Sequence, residues 1–273
     1  MKKGLMFILL VLSFVGMNDL AVNAKSKTKS LTFYENGQLS YYDLDIKGIT
    51  KVKSSNKKVA VVYKSDDEYF IKAKKKGKAK ITVKGKKKTY TYNVTVKETP
   101  TFDVAIEGTI NDGHNSYAVV RITSPIGVDN IDTFATFNDS EGKPVFTSSA
   151  HFDFVGAGQT AYAEIYCGTN LDKIDFTKTT FETKFSRQPD VNYKDVTSKV
   201  DYQSEIVGDR IRVTLSGIDC CACYSIIYKD CDGNITGIDD VHAFLHGEMT
   251  TFKELPKNTI SAEIVSKRGL RFQ

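Results

Sequence analysis

Apolar and polar side chains alternate at every second position in two neighbouring stretches of the chain. Lysine, threonine or asparagine occupies one set of positions. The other set holds small or apolar residues: Gly77, Ala79, Ile81, Val83, Tyr90, Tyr92, Val94 and Val96. A period of two places one face of a strand in a core and the other in water. We therefore predict two strands here, joined by a hairpin turn at 84–88.

The rest of the chain shows the same short apolar runs separated by turn residues. Further strands are predicted at 31–34, 48–52, 117–122 and 211–215. Glycine, asparagine and aspartate recur between them, and no sustained helical period follows the N-terminal apolar run. The pattern predicts an all-β chain built from β-sandwiches.

Two segments of the chain match one another at a spacing of 91 residues. Phe137, Asp139, Gly142, His151, Gly156 and Thr160 recur without a gap as Tyr228, Asp230, Gly233, His242, Gly247 and Thr251. Each copy contains a strand that ends in an aromatic residue, a D-x-x-G turn and a second strand. The repeat predicts two sandwiches of one architecture.

The stretch from Ser54 to Val96 carries a family pattern. An S-S-N-x-x-V-A-x-V run precedes the Gly77 strand, and the matching residues are Ser54, Ser55, Asn56, Val59, Ala60, Val62, Gly77, Ala79, Ile81 and Val83. These residues resemble the bacterial immunoglobulin-like group 2 domain, which is found on surface proteins. The two repeats resemble, more weakly, immunoglobulin-like modules of exported proteins. The resemblance implies three tandem immunoglobulin-like sandwiches with a binding role.

The N-terminus has the three regions of a secretory signal peptide. Lys2 and Lys3 precede an apolar run from Leu5 to Val15, and Val22-Asn23-Ala24 follows. The run is shorter than the roughly 20 residues that span a bilayer, which disfavours the alternative of an uncleaved anchor. We expect cleavage after Ala24, no transmembrane segment thereafter, and a secreted or envelope-associated protein.

Proline-containing segments give the expected domain boundaries. Thr99-Pro100 and Gln188-Pro189-Asp190 interrupt the strand pattern, because proline cannot donate to a sheet. The predicted divisions are a signal peptide at 1–24, the group 2 domain at 25–98, and the two immunoglobulin-like repeats at 101–188 and 192–273.

Charge is distributed unevenly between the two parts of the mature chain. Residues 25–97 contain 20 lysines and 6 acidic residues, a net charge of +14, whereas residues 98–273 carry a net charge of −10. A basic exported domain is expected to attract anionic cell-wall polymers, such as teichoic acids, or acidic polysaccharides. Host surface proteins are a further expected class of partner. The lysines expected to make that contact are Lys74, Lys75, Lys76, Lys78, Lys86, Lys87 and Lys88. The simpler alternative is that they only keep a small sandwich soluble.

We do not expect nucleic acid as a partner of this basic domain. Tyr90 and Tyr92 fall on the predicted core face, so they provide no platform on which bases could stack.

Five cysteines raise the question of a disulfide or a metal. In an exported protein a disulfide is the more common use, and Cys223 and Cys231 are the expected partners across a hairpin if the register allows. On one strand Cys221 and Cys223 share a face, whereas Cys220 and Cys223 do not. The zinc pattern of Cys220-x-x-Cys223 with His242 and His246 has too long a gap, so we predict no metal and no cofactor.

No catalytic motif is present in the sequence. G-x-S-x-G, H-E-x-x-H and a recognisable nucleophilic cysteine are all missing. We therefore expect an exported, non-catalytic binding or adhesion protein. Two alternatives stay open at this point: a secreted metal-binding or hydrolytic protein that uses the Cys/His set, and a structural spacer.

Overall fold

A computed structural model describes residues 27–35, 37–111, 114–169 and 171–272. This part of the chain folds into 20 strands with two short 3-10 helices, Leu171–Lys173 and Thr197–Lys199, and it contains no α-helix. The prediction of an all-β chain is confirmed. The predicted signal peptide at 1–24 lies outside the described residues. Within the described ranges, no helix is long and apolar enough to cross a membrane.

Seven strands form the first sheet pair. They are β1 (Lys27–Tyr34), β2 (Tyr41–Asp43), β3 (Lys51–Ser54), β4 (Ala60–Ser65), β5 (Glu68–Ala73), β6 (Gly77–Lys84) and β7 (Thr89–Lys97). One sheet has the order β1-β7-β6-β3 and the other β2-β5-β4. β1 runs parallel to β7, and the remaining neighbours are antiparallel.

The alternation seen in the sequence fills the core of this first pair. Ala79, Ile81 and Val83 of β6 are buried against Leu31 and Phe33 of β1 and the apolar residues of the second sheet. Burial of these apolar side chains is the main favourable contribution to folding. The same alternation leaves the intervening lysines of β6 exposed.

The second sheet pair has six strands. They are β8 (Asp103–Asn111), β9 (Ser116–Thr123), β10 (Val128–Asn138), β11 (Pro144–Val155), β12 (Thr160–Gly168) and β13 (Asp175–Ser186). The sheets have the orders β11-β10-β13 and β12-β9-β8. Phe137, Phe152 and Phe185 lie in the core between them, and Tyr34 at the end of β1 joins this core. The first two sheet pairs are therefore in direct contact.

The third sheet pair has seven strands. They are β14 (Tyr193–Asp195), β15 (Val200–Val207), β16 (Arg210–Gly217), β17 (Cys220–Lys229), β18 (Ile235–Leu245), β19 (Glu248–Glu254) and β20 (Ser261–Phe272). The sheets have the orders β14-β20-β17-β18 and β15-β16-β19. Apart from the added β14, the strands are arranged as in the second pair. The division into the three predicted domains stays a prediction.

The D-x-x-G turns of the two repeats have the same hydrogen bonds. Asp139 Oδ1 accepts the backbone N–H groups of residues 141 and 143, both at 2.9 Å, and Asp230 Oδ1 accepts those of residues 232 and 234 at the same distance. Gly142 and Gly233 adopt φ of 83° and 82°, which favours glycine. Each aspartate is thus occupied in holding its own turn.

Replacing a core phenylalanine should test the importance of the second core. Phe137 is fully buried, so Phe137→Ala should destabilise the protein by about 3–5 kcal/mol, because it removes buried surface and leaves a cavity. Phe252 is 52% exposed, and Phe252→Ala should change stability by about 0.5 kcal/mol or less. Denaturant unfolding followed by circular dichroism measures both. Equal effects would contradict the assigned core.

Candidate binding surfaces

The outer face of the first sheet carries a row of lysines. Lys78, Lys80 and Lys84 of β6 point outward, because they alternate with the buried side chains of that strand. β3 lies beside β6 with Lys51 opposite Lys84 and Lys53 opposite Thr82. Residues paired directly across two strands share a face. We call Lys51, Lys53, Lys78, Lys80 and Lys84 the lysine face.

The rest of this outer surface is made of small polar groups. On β7, Thr95 is opposite Lys78, Asn93 is opposite Lys80 and Thr91 is opposite Thr82. A shallow depression of about 410 Å³ lies between the two strands, lined in part by Ser55. Hydroxyl and amide groups that can donate hydrogen bonds therefore surround the lysines.

The lysine face has no carboxylate neutralising it among the described residues. None of its five lysines forms an ion pair there. The six acidic residues of the first sheet pair lie elsewhere. Glu35 directly follows β1, Asp43 and Asp45 lie on and just after β2, and the other three lie at the β4–β5 turn: Asp66, Asp67 and Glu68. Like charges on one surface sum into a single positive field.

The lysines predicted from the sequence occupy three separate places. Lys78 belongs to the lysine face. Lys74, Lys75 and Lys76 lie in the loop before β6, where Lys76 pairs with Glu98. Lys86, Lys87 and Lys88 lie in the β6–β7 turn, all exposed, at the opposite end of a strand roughly 23 Å long. The seven residues therefore do not form one patch.

Sequence reasoning missed four members of the lysine face. Lys80 and Lys84 could have been found from the alternation in β6, which assigns them to the same side as Lys78. Lys51 and Lys53 required the β3–β6 register, which no local pattern supplies.

A second candidate surface is the junction between the second and third sheet pairs. On β17, alternate residues from Cys220 to Tyr228 pack in the third core. The residues between them, Cys221, Cys223 and Ser225, face away from that core and are nevertheless buried. Strands of the second pair cover them. For example, Ser266, which lies opposite Ser225 on β20, donates a hydrogen bond from its Oγ to the backbone carbonyl of Thr160 on β12.

Aromatic residues lie at the rim of this junction around Phe154. Its ring contacts those of His242, Phe244 and Phe272, with centroids 5.6–6.0 Å apart. The backbone of Phe154 has φ of 50°, a left-handed conformation that is strained for a bulky residue. The surrounding contacts hold that conformation in place.

A row of histidine and carboxylate groups also reaches this junction. His151 Nδ1 lies 2.6 Å from Asp132 Oδ1, and His151 Nε2 lies 3.1 Å from Asp153 Oδ1. The other oxygen of Asp153 is 3.5 Å from His242 Nδ1 of the third pair. At the far end, Gln38 of the first pair donates to Asp132 Oδ2 at 3.1 Å. The row therefore connects all three sheet pairs.

The two ends of the His151–Asp132 contact have opposite pKa shifts. The hydrogen bond to Asp132 raises the pKa of His151, against the opposing effect of burial, and the charge of Asp153 adds to the increase. Burial acts to raise the pKa of Asp132, but the hydrogen bonds from His151 and Gln38 outweigh it and lower that pKa. Lys184, opposite Asp132 on β13, acts in the same direction.

The cysteines do not pair as the sequence suggested. Cys223 is fully buried in the middle of β17, and its partner across the hairpin is His242. Cys231 is exposed in the turn beyond Lys229, about 20 Å along the strand from Cys223. The expected Cys223–Cys231 bridge does not fit this register. The expectation that Cys221 and Cys223 converge is confirmed, with their sulfur atoms 3.7 Å apart.

The Cys/His set considered for zinc is divided between different surfaces. Cys220 faces the third core, Cys223 faces the junction, and His246 is 79% exposed beyond the end of β18. Within the described ranges, no three His, Cys, Asp or Glu side chains are grouped as metal ligands.

Comparison with known protein families and with curated proteins finds no match to this sequence. The resemblance to the group 2 domain thus depends on the residues of the Ser54–Val96 stretch alone.

The histidine row predicts a pH-dependent contribution to stability. A raised pKa at His151 stabilises the fold below the unfolded value of 6.5, and this contribution is lost as pH rises through the folded pKa. The lowered pKa of Asp132 stabilises the fold above pH 3.8, the unfolded pKa of this group. This stabilisation is lost as the pH falls through the folded pKa. His151→Gln should therefore cost most near about pH 5.5, by up to about 1 kcal/mol, and least above about pH 8.

Denaturant unfolding of wild type and variant across that pH range measures this effect. The matched control is His246→Gln, because that side chain is 79% exposed and lies 3.7 Å from an equally exposed Asp219. Because an exposed ion pair contributes little, the control should change stability by about 0.5 kcal/mol or less. A cost of His151→Gln that is independent of pH would show that the ring contributes only packing.

Proposed function

We propose that this chain is an exported, non-catalytic protein that binds anionic polymers of a bacterial envelope through the lysine face. The observation that carries the proposal is the set of five outward lysines on one sheet without an ion-pair partner in the described part of the chain. The resemblance of the Ser54–Val96 stretch to the group 2 domain supports a surface role. The signal-like N-terminus supports export.

The shape of the lysine face favours a repeating polymer over a small anion. Alternate residues on β6 are roughly 6.6 Å apart along the strand, and neighbouring strands are about 4.8 Å apart. Lysines at this spacing form an extended array with only a shallow depression between them. Successive phosphates or carboxylates of one chain can contact several ammonium groups at once, so that weak contacts add.

The positive face is also separated from the acidic part of the protein. Residues 98–273 carry a net charge of −10, whereas the first sheet pair is strongly basic. A polyanion would be repelled by the second and third sheet pairs, so it should bind at the first pair in one preferred place. The attraction is electrostatic and should weaken as salt screens it.

The alternative based on the Cys/His set has less support. Cys220 and Cys223 project from opposite sides of β17, and His246 is exposed beyond the end of β18, so the four side chains do not converge on one substrate position. The junction that buries Cys223 leaves that sulfur with no exposed surface. A binding role therefore accounts for more of the arrangement.

Charge-neutralising variants on the first sheet should test the proposal. Lys78→Gln, Lys80→Gln and Lys84→Gln together remove three charges from the lysine face. We expect binding of the full protein to purified teichoic acid to weaken by about tenfold or more, which is about 1.4 kcal/mol. Lys173→Gln, Lys194→Gln and Lys257→Gln remove three exposed lysines elsewhere and should change binding by less than about twofold.

Sedimentation of the protein with teichoic acid, and with uncharged dextran as a second ligand, measures this difference. Binding to teichoic acid should decline between about 0.05 and 0.5 M salt, because the Debye length falls over that range. Equal weakening in the two triple variants would mean that only net charge matters. If the protein bound uncharged dextran as tightly as teichoic acid, the lysine face would also be rejected as an anion site.

A further inference from the structure

Cys221 and Cys223 form a buried dithiol on the outer face of β17. They are two residues apart, so their side chains project from the same side of the strand, and their sulfur atoms are 3.7 Å apart. Cys220 projects from the opposite side into the third core. The neighbouring cysteine is thus separated from the pair by the strand itself.

The strand spacing places a bond between the two sulfurs at the limit of what the backbone allows. Residues two apart on an extended strand have Cα atoms roughly 6.6 Å apart. That separation lies near the upper end of the range that disulfides span, about 4.4–6.8 Å. A disulfide also needs Cβ atoms about 3.5–4.5 Å apart, which is closer than the roughly 6.6 Å between such residues on a straight strand, so β17 must bend locally when the bridge forms. Because it would be close to the geometric limit, it should also be easily reduced.

A buried arginine lies beside the dithiol. Arg268 on β20 is directly opposite Cys223 in the register and only 1% exposed. Its Nη2 pairs with Asp240, which also accepts a hydrogen bond from Ser225 Oγ at 2.6 Å. Among the described residues, its Nε and Nη1 have no hydrogen-bond partner. A thiolate at Cys223 would supply negative charge next to these buried donors.

Four groups around Cys223 make the two thiols unequal: Cys221, Arg268, Asp240 and Asp153. The hydrogen bond from the Cys221 thiol lowers the pKa of Cys223 against the effect of burial, and Arg268 lowers it further. Asp240 of β18 and Asp153 of β11 act in the opposite direction. The same hydrogen bond and burial raise the pKa of Cys221. Cys223 is therefore the sulfur that ionises first.

We propose that Cys221 and Cys223 are a redox-active dithiol that exchanges with low-molecular-weight disulfides, with Cys223 as the attacking sulfur. The Cys223 thiolate attacks one sulfur of the small disulfide, which breaks its S–S bond and releases one small thiolate. Cys221 loses its proton and attacks the Cys223 sulfur, which releases the second small thiol. The protein dithiol is oxidised by two electrons, and the small disulfide is reduced to two thiols.

Access to this dithiol depends on the junction between the second and third sheet pairs. Cys221 is 2% exposed and Cys223 is fully buried, with Asp153 of the second pair among the covering groups. The oxidant can reach the sulfurs only when this junction opens, since local opening exposes buried groups. The rate of exchange should therefore report how often the junction opens.

The test treats the full protein with oxidised glutathione. The protein carries Cys231→Ser, because this substitution removes the exposed thiol. Peptide mapping should find a Cys221–Cys223 bond with the loss of two hydrogens. With Cys221→Ser added, the reaction should stop as a glutathione adduct on Cys223. With Cys223→Ser added instead, Cys221 should form at least about tenfold less adduct, because its burial still raises its pKa and keeps its thiolate scarce.

Cys220→Ser is the matched control, since it changes the adjacent thiol on the opposite side of the strand and should leave the bond intact. Brief alkylation of the Cys231→Ser protein gives a readout that needs no variant of the pair. Cys223 should be labelled about tenfold faster than Cys220. Bond formation only in denaturant, a Cys220-linked product, or equal labelling of Cys220 and Cys223 would each overturn the proposal.

Discussion

Each strand has two faces, and only one of them can be buried in the core of its own sheet pair. The rest of this structure depends on what becomes of the other face. On β6 the second face points to water and carries Lys78, Lys80 and Lys84. On β17 it is covered by the second sheet pair, so that Cys223 is as buried as the core residue Tyr224. The same alternation therefore produces an exposed charged surface in one place and a sealed polar junction in the other.

The two repeats show how one architecture can carry different chemistry at the same position. Asp132 on β10 lies opposite His151 on β11. Cys223, 91 residues after Asp132, is on β17 and lies opposite His242 on β18. The turns that follow these strands keep the same hydrogen bonds. The turn aspartates and core residues maintain the fold, whereas the outward positions contribute a carboxylate in one copy and a thiol in the other. Function in such a chain is expected on outward faces and junctions.

The sequence was sufficient wherever a local pattern determined the structure. Period-two alternation predicted β6 and β7, and the D-x-x-G spacing predicted both turns. It was insufficient where distant strands meet. The placement of Lys51 beside Lys84 requires the β3–β6 register, and the burial of Cys221 requires knowledge that a second sheet covers β17. The Cys223–Cys231 expectation failed for the same reason, because register determines which residues face each other across a hairpin.

Lysine footprinting tests most directly whether the outward face of the first sheet is the anion-binding surface. Limited acetylation of the full protein, read by mass spectrometry with and without teichoic acid, reports which ammonium groups the polymer covers. Lys78, Lys80 and Lys84 should be protected together with Lys51 and Lys53, while Lys173, Lys194 and Lys257 react unchanged. Protection confined to the loops at Lys74–Lys76 or Lys86–Lys88, or spread evenly over all lysines, would contradict it.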